Sequence, residues 1–251
     1  GVVDMLDEFL DLFGGVPVDC EFAVTSKPDG SAEDETLWLL QARPLTMALS
    51  GETPETQAKR LGLIADKVAR GMRPHPFLMG QRTVYGVMPD WNPAEIIGVR
   101  PKPLALSLYR DLVTDAIWAY QRHNYGYRNL RSFPLMPHFF GLPYIDVRTS
   151  FNSFIPADLN EGLASRLVDY YVERLLAEPM LHDKVEFEIV FSCYTVDLPE
   201  RLARLGDAGF SRAEQDAISN SLRNLTNKIV HPNKGLWVED AAKLETLDAR
   251  R

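Results

Sequence analysis

Three polar side chains early in the sequence have the types and the spacing to hold a magnesium-bound polyphosphate. They are Glu21 in VPVDCEFAV, and Gln41 and Arg43 in LWLLQARPLT. Alternate residues of a strand share a face, so Gln41 and Arg43 are expected on one side, together with Leu37 and Leu39, with Glu21 on the neighbouring strand. An acid and an amide oxygen are hard ligands suited to Mg²⁺, and a guanidinium grips phosphoryl oxygens in bidentate fashion. The plainer alternative is an edge hairpin with an exposed Glu–Arg pair, which water would leave weak.

These residues meet only if a hairpin brings them together, and the local signals favour one. Val18 to Thr25 and Thr36 to Ala42 read as strands, and between them SKPDGSAEDE carries the turn chemistry of Pro28-Asp29-Gly30. Before the hairpin, Val2, Val3, Leu6, Phe9, Leu10 and Phe13 recur at helical spacing, and Gly14-Gly15 supplies a left-handed stop.

The hairpin resembles the end of the ATP-binding domain in phosphoenolpyruvate synthases, pyruvate phosphate dikinases and rifampin phosphotransferases. Its carriers are the Pro17, Asp19, Glu21, Phe22 run and the Leu-Gln-Ala-Arg-Pro-Leu-Thr string from Leu40 to Thr46, with Gly14 to Thr46 as the core. Cys20 stands where that family usually has Ile, and Phe22 where Trp is frequent; the acidic connector is longer than the family's turn. The resemblance implies ATP and Mg²⁺ as cofactors, Glu21 and Gln41 as metal or nucleotide contacts, and Arg43 as the phosphate clamp. It also implies an ATP-dependent phosphotransferase, in which ATP phosphorylates a mobile histidine that then serves pyruvate or another small acceptor. Residues 1–50 would be the last portion of an ATP-grasp domain whose earlier portion precedes Gly1.

The family's phosphate-carrying histidine sits in a Thr-x-His context, and none of the five histidines has it. His75 in RPHPF, His123 in QRHNY, His138 in MPHFF, His182 in MLHDK and His231 in IVHPN read instead as loop or core hydrogen-bonders. The phosphohistidine domain is therefore expected beyond Arg251. A non-catalytic binding or scaffolding domain with a vestigial ATP-grasp tail is the competing reading.

From residue 51 to 251, after a boundary near Ser50-Gly51, the pattern is mostly helical with a few strands, making the class α+β. Helical patterns run from Glu52 to Arg73, Leu104 to Tyr125, about Asp158 to Leu176, Glu200 to Leu205 and Ser211 to Ile229, while VRTSF and VEFEIVFSCYTV read as strands. MPDWNPAEIIG resembles a segment recurring in synthase-like proteins of the same group. In it Asn92, Pro93 and Glu95 are a helix start that explains them without a ligand, though Asp90, Asn92 and Glu95 could also accept hydrogen bonds from one. Arg100, Lys102, Arg110, Arg122, Arg128 and Arg131 interleave with Tyr109, Tyr120, Tyr125 and Tyr127. That run reads either as a solvated helix whose arginine stems cover the core or as the lining of a site for an anionic or aromatic acceptor.

Composition narrows the partners. A formal charge of −8, from 35 acidic and 27 basic side chains, argues against nucleic acid. Cys20 and Cys193 lack metal or disulfide spacing, no apolar run nears the roughly 20 residues a bilayer span needs, and a cytoplasmic location is expected.

Overall fold

The computed structural model describes residues 1–16, 18–25, 35–44, 53–231, 235, 236, 238, 239 and 241–243. The turn expected in the acidic connector, Pro17, Leu45 and Thr46 of the hairpin motif and the boundary at Ser50-Gly51 lie outside the described residues. The protein is 54% helical and 12% strand, which puts it in the mixed α+β class. It divides into two compact units, Gly1–Lys59 and Arg60–Arg251. No described helix is long and apolar enough to cross a membrane.

In the first unit, helix α1 (Val2–Leu12) turns Phe9 inward and ends at the glycines. Gly14 and Gly15 take φ of 66° and 80°, and the Gly15 amide donates to the Leu10 carbonyl at 2.7 Å, satisfying a carbonyl that the helix end leaves open. Strands β1 (Val18–Thr25) and β2 (Thr36–Pro44) pair antiparallel, with Asp19 opposite Arg43 and Glu21 opposite Gln41. The next pair is Phe22 with Leu39, so Leu40 is an extra residue, a β-bulge. The bulge corrects the expected alternation of β2. Leu37 and Leu39 pair with Val24 and Phe22, on the face opposite Gln41 and Arg43, because one inserted residue reverses the side on which every later side chain emerges.

The chain passes into the second unit along α2 (Pro54–Gly71). There follow β3 (Tyr85–Gly86), α3 (Pro93–Ile96), α4 (Pro103–Tyr109), a π-helical turn Arg110–Thr114, α5 (Ile117–Tyr125), β4 (His138–Phe139), β5 (Leu142–Pro143), β6 (Ile145–Asp146) and α6 (Val147–Asn152). Then come α7 (Glu161–Ala177), a 3₁₀ turn Pro179–Asp183, a second π-helical turn Val185–Ile189, α8 (Leu198–Ala203) and α9 (Arg212–Val230). The strands pair as β3 with β6 and β4 with β5. The core forms on α7, whose start is fixed by Asn160 accepting from the Gly162 and Leu163 amides and whose stripe of Leu163, Leu167, Tyr171 and Leu175 is buried. Ile218 and Leu222 of α9 join it, behind a Ser211–Glu214 capping box. Asn92 caps α3 by accepting from the Glu95 amide at 3.1 Å.

Three expectations fail in this unit, each for a physical reason. VRTSF is helix α6, not a strand: Asp146 caps it by accepting from the Thr149 amide at 3.0 Å, and all six of its residues are buried. Within VEFEIVFSCYTV, Val185 and Ile189 are buried at i, i+4 spacing while Phe187 is 75% exposed, so the apparent alternation is one face of a helical turn. Leu104 to Tyr125 is not one helix. The Thr114 carbonyl accepts from the Leu135 amide at 2.9 Å, and Ala116 leaves helical geometry at φ −144°, ψ −32°.

Candidate functional site

The hairpin sets four polar side chains on one face. Glu21 and Gln41 stand directly opposite, and two pairs further along, beyond Cys20 and Ala42, stand Asp19 and Arg43. Arg43 Nε donates to Asp19 Oδ2 at 2.8 Å, and Nη2 lies 2.7 Å from the same oxygen in an ion pair. The hydrogen bond and then the charge of Asp19, with Glu21 a smaller contributor, keep the guanidinium protonated even more firmly than usual. Both side chains lie open to water, which screens the pair, so its role as a structural tie is slight. No group of three or more His, Cys, Asp or Glu among the described residues could cage a metal. Two carboxylates with an amide oxygen nevertheless fit Mg²⁺, which takes one or two carboxylates and fills its shell with phosphate oxygens and water.

A second charged group is closed to ligands. Asp90, at φ 60°, meets Arg122 in bidentate fashion, Oδ1 to Nη2 at 2.5 Å and Oδ2 to Nη1 at 3.0 Å, and Ser150 Oγ donates to its Oδ2 at 2.8 Å. Arg122 also donates to Ser153 Oγ and lies 4.1 Å from the centre of the Phe154 ring. The Asp90 side chain is 3% exposed, so its oxygens serve the fold. Beside it Glu186, on the second π-helical turn, is held above the usual carboxylate range chiefly by burial. Its own backbone hydrogen bond and Arg122 oppose the rise, and the Asp90 charge adds to it.

An open concavity of about 320 Å³ lies elsewhere in the second unit, lined by Lys67, Tyr85, Arg110, Met136, His138 and Asp146 with Pro134 and Pro137. Lys67 Nζ donates to the His138 carbonyl at 2.6 Å and lies 5.1 Å from the centre of the Phe139 ring. Burial, then the charges of Arg110 and Arg70, hold the Lys67 ammonium below its usual range. Burial, then Lys67 and Arg110, do the same to His138. Tyr85 is pushed up by burial and by Asp146, with Arg148 opposing, and stays a neutral donor.

Gly71, the last residue of α2, makes room for this wall: a Cβ there would stand 1.8 Å from Tyr85 Oη. Gly71→Ala would gain about 1 kcal/mol of helix propensity, but forcing the Tyr85 ring aside costs about 1–3 kcal/mol. The clash is expected to prevail. Urea unfolding should show a net loss of stability that Tyr85→Phe, by removing the hydroxyl, restores in the double variant.

No family model matches the chain, and neither does any curated protein or solved structure. The three residues expected from the sequence lie on one hairpin face, and Asp19 joins them; its position two residues before Glu21 on the same strand was the available signal. Of the basic run, Arg110 lines the concavity, whereas Arg122 is spent on Asp90. Lys67, Tyr85 and His138 had no such signal, because α2, β3 and β4 bring them together only in the folded unit.

Proposed function

We propose that this chain is part of an ATP-dependent phosphotransferase of the phosphoenolpyruvate-synthase type. In it ATP phosphorylates a histidine on a separate domain, and that histidine passes the phosphoryl group to pyruvate or another small acceptor. The reading is carried by the opposed pairs Asp19–Arg43 and Glu21–Gln41, which line up hard oxygens and a phosphate-binding cation on one face of the hairpin. Bound Mg²⁺ would neutralise phosphoryl charge, and Glu21 and Gln41, joined by Asp19, are the residues that would hold it. Arg43 is oriented by Asp19 through Nε and Nη2, while its Nη1 makes no hydrogen bond among the described residues and can donate to a phosphoryl oxygen. The rest of the nucleotide site and the phosphohistidine domain would belong to flanking sequence.

The test is ATP affinity of the full-length protein with Arg43→Ala, followed by calorimetry. Losing one charge-assisted contact worth about 1.5–3 kcal/mol should weaken binding roughly 10- to 150-fold, with the circular dichroism spectrum unchanged. Unchanged affinity would leave the hairpin only a packing role.

A further inference from the structure

We propose that the concavity bounded by Lys67, Arg110 and His138 is a binding site for a small oxyanion, the carboxylate or phosphate group of a small molecule. Calling that molecule the phosphoryl acceptor rests on the phosphotransferase reading; its anionic character does not.

Three observations carry the inference. The first is unbalanced positive charge. Among the described residues no carboxylate lies within ion-pairing distance of Lys67, while Arg110 is paired with Asp115 through Nε to Oδ1 at 3.4 Å and Nη2 to Oδ2 at 3.3 Å, long for charge-assisted bonds, and its Nη1 makes no hydrogen bond among the described residues. The charges of Arg110 and Arg70 both act against the Lys67 ammonium, and an anion beside it would relieve that repulsion. In a chain of formal charge −8, such a focus is not a by-product of composition.

The second observation is the hydrogen-bonding sense of the lining. The Gly141 amide donates to His138 Nδ1 at 3.4 Å, so the neutral imidazole carries its proton on Nε2 and is a donor. Tyr85 is a neutral phenol and a second donor. Asp146, the one carboxylate in the lining, has Oδ1 engaged by the Thr83 hydroxyl at 2.7 Å and the Thr149 amide at 3.0 Å. Donors outnumber acceptors, and the Arg110 guanidinium, with Nη1 left over from its Asp115 pair, beside the Lys67 ammonium is a pairing that suits carboxylate or phosphate. The third observation is size: about 320 Å³ is near the lower limit of small-molecule sites and suits a small anionic group. Met136, Pro134 and Pro137 add an apolar rim for a short carbon chain.

The experiment titrates the 251-residue chain with inorganic phosphate and, separately, with pyruvate, following histidine ring protons by NMR. The His138 signal is the one absent from His138→Gln. The groups facing this ring are Lys67 from α2, Arg110 from the first π-helical turn, Tyr85 from β3 and Asp146 from β6. An added negative charge among them should raise the pKa of His138. Lys67→Gln and Arg110→Gln should each weaken binding at least about tenfold, with Arg110→Lys retaining part of the affinity and thermal unfolding checking that each variant is folded. Response to phosphate alone identifies a phosphate group, and response to pyruvate alone a carboxylate. If neither anion moves His138 at millimolar concentration, or if binding survives both Gln variants, the site is refuted. Anion binding in a full-length protein that forms no phosphohistidine keeps the site and removes the acceptor. Phosphohistidine without anion binding does the reverse.

Discussion

Arg122→Ala is expected to lower the free energy of unfolding by about 3–5 kcal/mol, measured by urea denaturation with tryptophan fluorescence. The reason lies in what the substitution leaves behind. Asp90 is 3% exposed and Arg122 14%, so deleting the guanidinium strands a carboxylate away from water with only the Ser150 hydroxyl as a partner. The same deletion removes a cation from the face of Phe154 and a donor from Ser153. Asp90→Asn is the milder variant: Asn tolerates the positive φ at this position and keeps the Ser150 contact, while Arg122 retains Ser153 and the aromatic faces. A double variant, Asp90→Asn with Arg122→Met, buries no unpaired charge and should recover most of the loss. A cost below about 1 kcal/mol for Arg122→Ala would mean that the pair is solvated, since that is the range of exposed ion pairs.

That result would also explain why Arg122 could not be singled out in advance. In sequence it is one of six basic residues among tyrosines, and its burial depends on α6 arriving from some thirty residues away with Ser150 and Ser153. Elements with local punctuation were legible: α3 announces itself through Asn92 and α1 through its two glycines, and α9 follows the helical pattern from Ser211 to Ile229. The hairpin was legible too, and with it the strand pairing that sets Glu21 opposite Gln41. Its bulge was not, because Leu40 differs in no chemical way from the leucines around it and only the pairing with β1 selects it as the extra residue. Helix α6 was hidden by burial on every side, which removes the polar face that makes a helix visible as a period. The residues lining the concavity lie on five separate elements between residues 67 and 146, so no spacing connects them.

The second large effect is expected at Phe151, and it tests whether α6 organises the second unit. Its side chains leave in different directions: Arg148 donates to the Gly71 and Arg73 carbonyls at 3.0 and 2.8 Å, Asn152 bonds the Met79 amide and carbonyl at 2.8 and 2.9 Å, and Ser150 reaches Asp90. Those polar ties fix orientation, but the hydrophobic anchor is Phe151, fully buried with its ring 5.8 Å from that of Tyr171 in an edge-on arrangement. Phe151→Ala should cost about 3–5 kcal/mol through lost transfer energy and the cavity left beside Tyr171. Phe151→Leu should cost less, because it refills part of that volume. Because α6 holds Ser150 against Asp90 and Arg148 against the end of α2, the cavity should also speed amide exchange at Ser150 to Ser153 and in the last turn of α2. If only the α7 side of the cavity responds, α6 is held by its polar contacts and Phe151 merely fills space.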